Sequence, residues 1–155
     1  MQRPTETAEL QSFGELELDA WRGFLRTYTT LVRDLDDELT ARHGLPVSSY
    51  DVLVQLDEAP DGMLRMSHLA EAVLLSRSGL SRLVTRLASQ GLIERAECEN
   101  DARGSFAVIT DKGRARLNEA RSTHRAGIRE RFLDRLSERD QRQLAKVWSR
   151  LLDPR

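Results

Sequence analysis

The sequence predicts a mainly α fold carrying one small β-hairpin (α+β), and three observations carry that prediction. Apolar residues step by three and four over most of the chain, the repeat of amphipathic helices. Two short helical patterns between residues 66 and 90 are separated by only three residues. Directly after them, two strand-like runs, Leu92–Ala96 and Ser105–Ile109, flank a polar loop from Glu97 to Gly104.

The N-terminal residues 1–14 are polar, contain Pro4 and Gly14, and read as a frayed arm. From Leu16 to Arg42, Trp21, Phe24, Leu25, Tyr28, Leu31, Val32, Leu35 and Leu39 line one helical face. Gly44 and Pro46 stop that helix. Ser48 or Ser49 is expected to cap a second helix bearing Tyr50, Val52, Leu53 and Leu56, which ends before Pro60, and Asp61-Gly62 supplies a turn. Ser67 is expected to cap a short helix with Leu69, Ala70 and Val73 facing inward. Leu74, Leu75 and Ser76 form the turn, and Ser76 caps the next helix. There Leu80, Leu83, Val84 and Leu87 make an apolar face, while Arg77, Ser78, Ser81, Arg82, Thr85 and Arg86 occupy the other.

Gly91 is expected just past that helix, as the residue that ends it. After the hairpin, Thr110 or Asp111 caps a helix in which Gly113 weakens the first turn by about 1 kcal/mol relative to Ala. Gly127 bends this helix or marks a close contact. Ser137, with Asp140 three residues on, caps a last helix striped by Leu144, Val147, Trp148, Leu151 and Leu152.

Length and charge narrow the function. The 155 residues suit one domain or a domain with helical extensions. A mixture of 39% hydrophobic and 32% charged residues is lean for a compact monomer and suggests elongated or partner-buried helices. No run is long and apolar enough for a membrane span and no secretion signal is visible. The single cysteine excludes an intrachain disulfide framework and fits the cytoplasm. Net charge is −1, yet residues 1–109 hold 11 Lys+Arg against 18 Asp+Glu, and residues 110–155 hold 13 against 7. Between Ser76 and Gln90 there are three arginines and no acid. The local charge at a contact, not the overall balance, sets attraction to phosphate.

Two helices joined by a short turn and followed by a hairpin describe a winged helix-turn-helix, whose second helix enters the DNA major groove. The alternative is a helical domain whose arginines are simply solvated. The segment LSRSGLSRLVTRLASQGLIER, followed by Asp101, Arg103, Ile109, Thr110 and Gly113 at the spacing D-x-R, five residues, aliphatic, Thr, two residues, Gly, resembles the multiple antibiotic resistance regulator (MarR) family. The resemblance covers residues 16–152 and implies a single MarR-type domain over 1–155, with helix-turn-helix near 66–90 and wing near 92–110. Helices near 16–42 and 111–152 would form a homodimer.

The family likeness also implies roles. Arg77, Ser78, Ser81 and Arg82 would meet base edges and phosphates of double-stranded DNA. Ser67 and Arg86 would hold phosphates. Arg103 at the wing tip would reach the minor groove, and Asp101 would orient it or pair with a recognition-helix arginine. For Arg86 and Arg95 the competing reading is an ion pair with a wing carboxylate.

Many family members release DNA when a small molecule enters a cleft beside the dimerisation helices. Trp21, Tyr28, His43, Tyr50 and His68 are the candidate lining, although ordinary core packing is the better account of Trp21, Tyr28 and Tyr50. His43, His68 and His124 have no metal-ligand spacing, so neither metal nor cofactor is expected. Cys98, between Glu97 and Glu99, is a poor redox sensor because adjacent carboxylates disfavour the thiolate. No Gly-rich phosphate loop, G-x-S-x-G or Cys/His pairing supports an enzyme. The remaining rival functions are a winged-helix protein-interaction module and a redox regulator acting through Cys98.

Overall fold

The structure, a computed structural model, describes residues 13–73, 75–98 and 101–153, without the side chains of Cys98 and residues 101–104. Among the described residues, six helices and three strands follow in the order α1 (Glu15–His43), α2 (Val47–Glu58), β1 (Met63–Arg65), α3 (Met66–Ala72), α4 (Arg77–Ser89), β2 (Ile93–Cys98), β3 (Asp101–Ile109), α5 (Asp111–Arg131) and α6 (Glu138–Leu152). Single 3-10 turns lie at Pro60–Gly62 and Leu133–Arg135.

The chain divides into two units, one up to Thr30 and one from Leu31 onward. In the first, α1 carries an aromatic row. Phe24 lies between Trp21 and Tyr28, with ring centroids 6.1 and 6.4 Å away. Trp21 and Tyr28 are exposed, so ordinary core packing does not account for them.

Among the described residues, the second unit holds every buried apolar one. Leu39 of α1, Val52, Leu53 and Leu56 of α2, Leu69 and Ala70 of α3, Leu80, Val84 and Leu87 of α4, and Leu117 and Ala120 of α5 converge on one core. The sheet runs in the order β1-β3-β2, antiparallel throughout. Met63 faces Val108 across β1 and β3, and Ile93 faces Ile109 across β2 and β3.

Several local expectations are corrected. Ser67 lies inside α3, whose N-cap is Arg65 with no side-chain cap. Neither Ser48 nor Ser49 caps α2, which begins at Val47 with Pro46 as its N-cap. Asp36 of α1 accepts from the Val47 N–H at 2.8 Å instead. The loop expected from Glu97 to Gly104 is largely strand, since β2 reaches Cys98 and β3 begins at Asp101. The backbone of these residues keeps strand geometry because the β2–β3 ladder holds it. Strand β1 is too short to produce alternation and owes its shape to pairing with β3.

Other expectations hold. Gly44 and Gly91 take positive φ, 60° and 74°, at the ends of α1 and α4. Ser76 caps α4, Thr110 caps α5, and Ser137 with Asp140 forms a capping box on α6. Gly127 marks a close contact, for a Cβ there would lie 2.7 Å from Leu35 Cδ2.

Candidate nucleic-acid interface

Helix α4 is fixed at both ends and along its inner face. Ser76 Oγ accepts from the Gly79 N–H at 3.1 Å. Leu80, Leu83, Val84 and Leu87 are buried beneath. Arg77, Ser78 and Arg82 face solvent, and neither arginine bonds to another described residue. Arg77 stands in the first turn, where the helix dipole disfavours a cation. No acidic side chain from Ser76 to Gln90 offsets that cost, but a phosphate would. Ser67 is exposed on α3 beside His68.

The two arginines with competing readings bond to hydroxyls and a carbonyl. Arg86 donates through Nη2 to Ser49 Oγ at 3.1 Å. Ser49 is 1% exposed, so its hydroxyl needs a partner and Arg86 supplies one. Arg95 on β2 donates through Nη2 to Ser81 O at 3.0 Å, Ser81 Oγ at 3.2 Å and Thr85 Oγ1 at 3.0 Å. No described wing carboxylate pairs with either. Ser81 is therefore half-buried and engaged, whereas Ser78 is exposed with its hydroxyl 3.3 Å from that of Ser76.

The Thr110–Gly113 part of the sequence motif clamps the C-terminal end of α4. Thr110 Oγ1 donates to Gly91 O at 2.7 Å and accepts from the Gly113 N–H at 3.0 Å. Lys112 Nζ donates to Gln90 O at 2.8 Å, satisfying a carbonyl that a helix end leaves bare. A Cβ on Gly113 would sit 2.2 Å from Leu92 O. Gly113 thus permits a close backbone approach, which outweighs its helix-propensity cost. The side chains of Asp101 and Arg103, and that of Cys98, lie outside the described residues.

Helix α2 links this unit to α5. Asp57 accepts hydrogen bonds from Arg114 and, at 2.5 Å, from Arg121. The ligand candidates His43 and Tyr50 rest on neighbouring residues of α5. His43 Nε2 is 2.8 Å from Thr123 Oγ1, and the Tyr50 ring is 4.4 Å from that of His124. Burial raises the Tyr50 pKa and lowers that of His124. The partners of Asp57, Ser49, Arg95 and His124 left no signal in the sequence because they are distant in the chain. Trp21 and Tyr28 stand on the first unit, and His68 is exposed on α3. Among the described residues, no group of three His, Cys, Asp or Glu could hold a metal ion, and no helix is long and apolar enough to cross a membrane.

A helix-turn-helix with an arginine-bearing second helix and an antiparallel wing defines a winged-helix protein of DNA-binding type. A profile of the MarR family matches residues 43–104. AbsC, a MarR family transcriptional regulator from Streptomyces coelicolor, is 34% identical, with 91% of this chain and 95% of that chain covered and a TM-score of 0.85. Sco3205, a MarR family regulator from the same organism solved in complex with DNA, is 33% identical, with 93% and 92% covered and a TM-score of 0.87. An uncharacterized HTH-type transcriptional regulator of Bacillus cereus is 28% identical over 131 residues, 84% of this chain and 85% of that protein. The chain belongs to the MarR family of transcriptional regulators.

Proposed function

We propose that this regulator is a homodimeric, cytoplasmic repressor of a palindromic operator, with residues 1–155 acting as one MarR-type domain. Arg77, Ser78 and Arg82 read the major groove, and Ser81 lines the same face. Ser67 and Arg86 hold phosphates, and Arg103, oriented by Asp101, probes the minor groove. The observation that carries this reading is the exposed Arg77 and Arg82 on an acid-free helix, neither bonded to another described residue. The DNA complex of the similar Sco3205 supports it. Duplication is supported by the exposed apolar residues of α1 and α6, including Trp21, Leu151 and Leu152. Two-fold symmetry then places the recognition helices about 34–36 Å apart.

Release by a small molecule is the further part of this reading. His43 and Tyr50 support it, because both hold α5 against the segment that precedes the helix-turn-helix. Trp21, Tyr28 and His68 remain the other lining candidates.

Selection of bound duplexes from a random library tests the main claim and should return a palindrome. Arg77→Ala with Arg82→Ala should then weaken binding to it by roughly 2–6 kcal/mol, at about 1–3 kcal/mol per lost base pair contact. Unchanged binding by this variant would favour the protein-interaction role.

A further inference from the structure

The geometry points to Arg95 as a positioning residue that locks the wing onto the recognition helix, so that sequence selectivity depends on a side chain that reads no base. This rests on the DNA-reading role of α4 proposed above. Arg95 stands on β2, opposite Ala107 of β3. Its Nη2 lies within hydrogen-bond reach of three acceptors on one turn of α4: Ser81 O, Ser81 Oγ and Thr85 Oγ1. Those acceptors are themselves ordered, since Thr85 Oγ1 donates to Ser81 O at 2.8 Å. A guanidinium is suited to such a site because its donors are held in one rigid plane.

The placement matters because other fixings hold the opposite end of the hairpin. Thr110 and Lys112 bind Gly91 O and Gln90 O, where β2 begins. Arg95 adds a second attachment further along β2, toward the wing tip. Two attachments fix a direction where one leaves a hinge. The described part of β2 and the face carrying Arg77 and Arg82 then approach DNA as one body. The same bonds occupy Ser81, which leaves Ser78 as the freer serine on that face.

The test uses the full-length protein and the duplex selected by the unaltered protein, with a random duplex beside it. Arg95→Met keeps the aliphatic stem and removes the donors. We expect about a tenfold loss of affinity for the selected duplex, little change for the random one, and an unchanged slope of log K against log[salt]. Arg103→Ala should cost clearly less in the Arg95→Met background than alone, because an unlocked wing no longer places its tip. Thr85→Val removes one acceptor without touching the wing and should shift selectivity in the same direction by a smaller factor. It also serves if Arg95→Met fails to fold, which a melting curve reports.

A slope lowered by about 0.9 with equal loss on both duplexes would make Arg95 a phosphate ligand and overturn the inference. Full selectivity in both variants, or additive effects with Arg103→Ala, would overturn it as well. If the unaltered protein selects no duplex, or Arg77→Ala with Arg82→Ala binds normally, the reading role itself fails, and that result is separate from any Arg95 outcome.

Discussion

Helices α4 and α6 are alike in sequence and opposite in their surroundings. Both begin at a serine cap, both carry arginines, and both bear an apolar stripe with helical spacing. In α4 that stripe is buried, with Leu80 and Leu87 each 1% exposed. In α6 no residue is buried, and Leu151 and Leu152 are 70% and 80% exposed. One helix is therefore anchored within its own chain and free to present its polar face. The other offers its apolar face outward and depends more on local devices such as its capping box, because tertiary burial normally supplies most helix stability.

The largest effect should come from breaking α6 where its stripe is open. Val147→Lys with Leu151→Lys is expected to leave the protomer folded and weaken the proposed dimer at least about 100-fold, roughly 3 kcal/mol. Sedimentation equilibrium reads this directly, and an unchanged association constant would remove α6 from the interface. Gly113→Ala attacks the α4 end instead. Its Cβ would press on the Leu92 carbonyl, a backbone atom that cannot step aside. A loss of about 2–3 kcal/mol in urea unfolding is expected, whereas an equivalent exposed substitution on α6 should stay within about 0.5 kcal/mol.

A smaller change should follow at the strut joining α2 to α5. Asp57→Asn removes the charge that Arg114 and Arg121 share. These groups are partly solvated, so the loss should be about 1–2 kcal/mol. If the strut also holds α2 against α5 for binding, affinity for the selected duplex falls without a change in salt slope. Urea midpoints and binding titrations on one preparation separate the two effects.

The same contrast explains what was legible in the sequence. Caps, glycine stops and helical stripes are local, so α1, α4, α5 and α6 could be placed from residues alone. The arginine face of α4 was equally plain. What escaped was set by distant partners. Nothing near Arg95 in sequence identifies the carbonyl of Ser81 as its acceptor, and nothing near Ser49 announces Arg86. Gly113 illustrates the limit well: helix propensity registers its cost, while its benefit arises from Leu92, some twenty residues earlier. Trp21 and Tyr28 show the converse, since periodicity identifies an apolar face but not whether the covering surface lies in the same chain.

The smallest expected effect concerns pH, at a position within the anchored half. Burial holds the His124 ring below its ordinary pKa of 6.5, with the Asp51 charge partly opposing. The fold thus resists a proton that the unfolded chain accepts. Above the unfolded pKa both states are neutral and stability is complete. As pH falls through about 6.5 the unfolded chain takes up the proton first, so stability declines until the folded ring is protonated too. Asp51, itself raised by desolvation, acts in the opposite sense at more acid pH. His124→Phe keeps an aromatic ring beside Tyr50 and removes the proton site. Urea midpoints measured at about pH 7.5 and about pH 5.5 should fall less in this variant than in the unaltered protein. Parallel slopes in the two proteins would mean that His124 is as easily protonated in the fold as outside it.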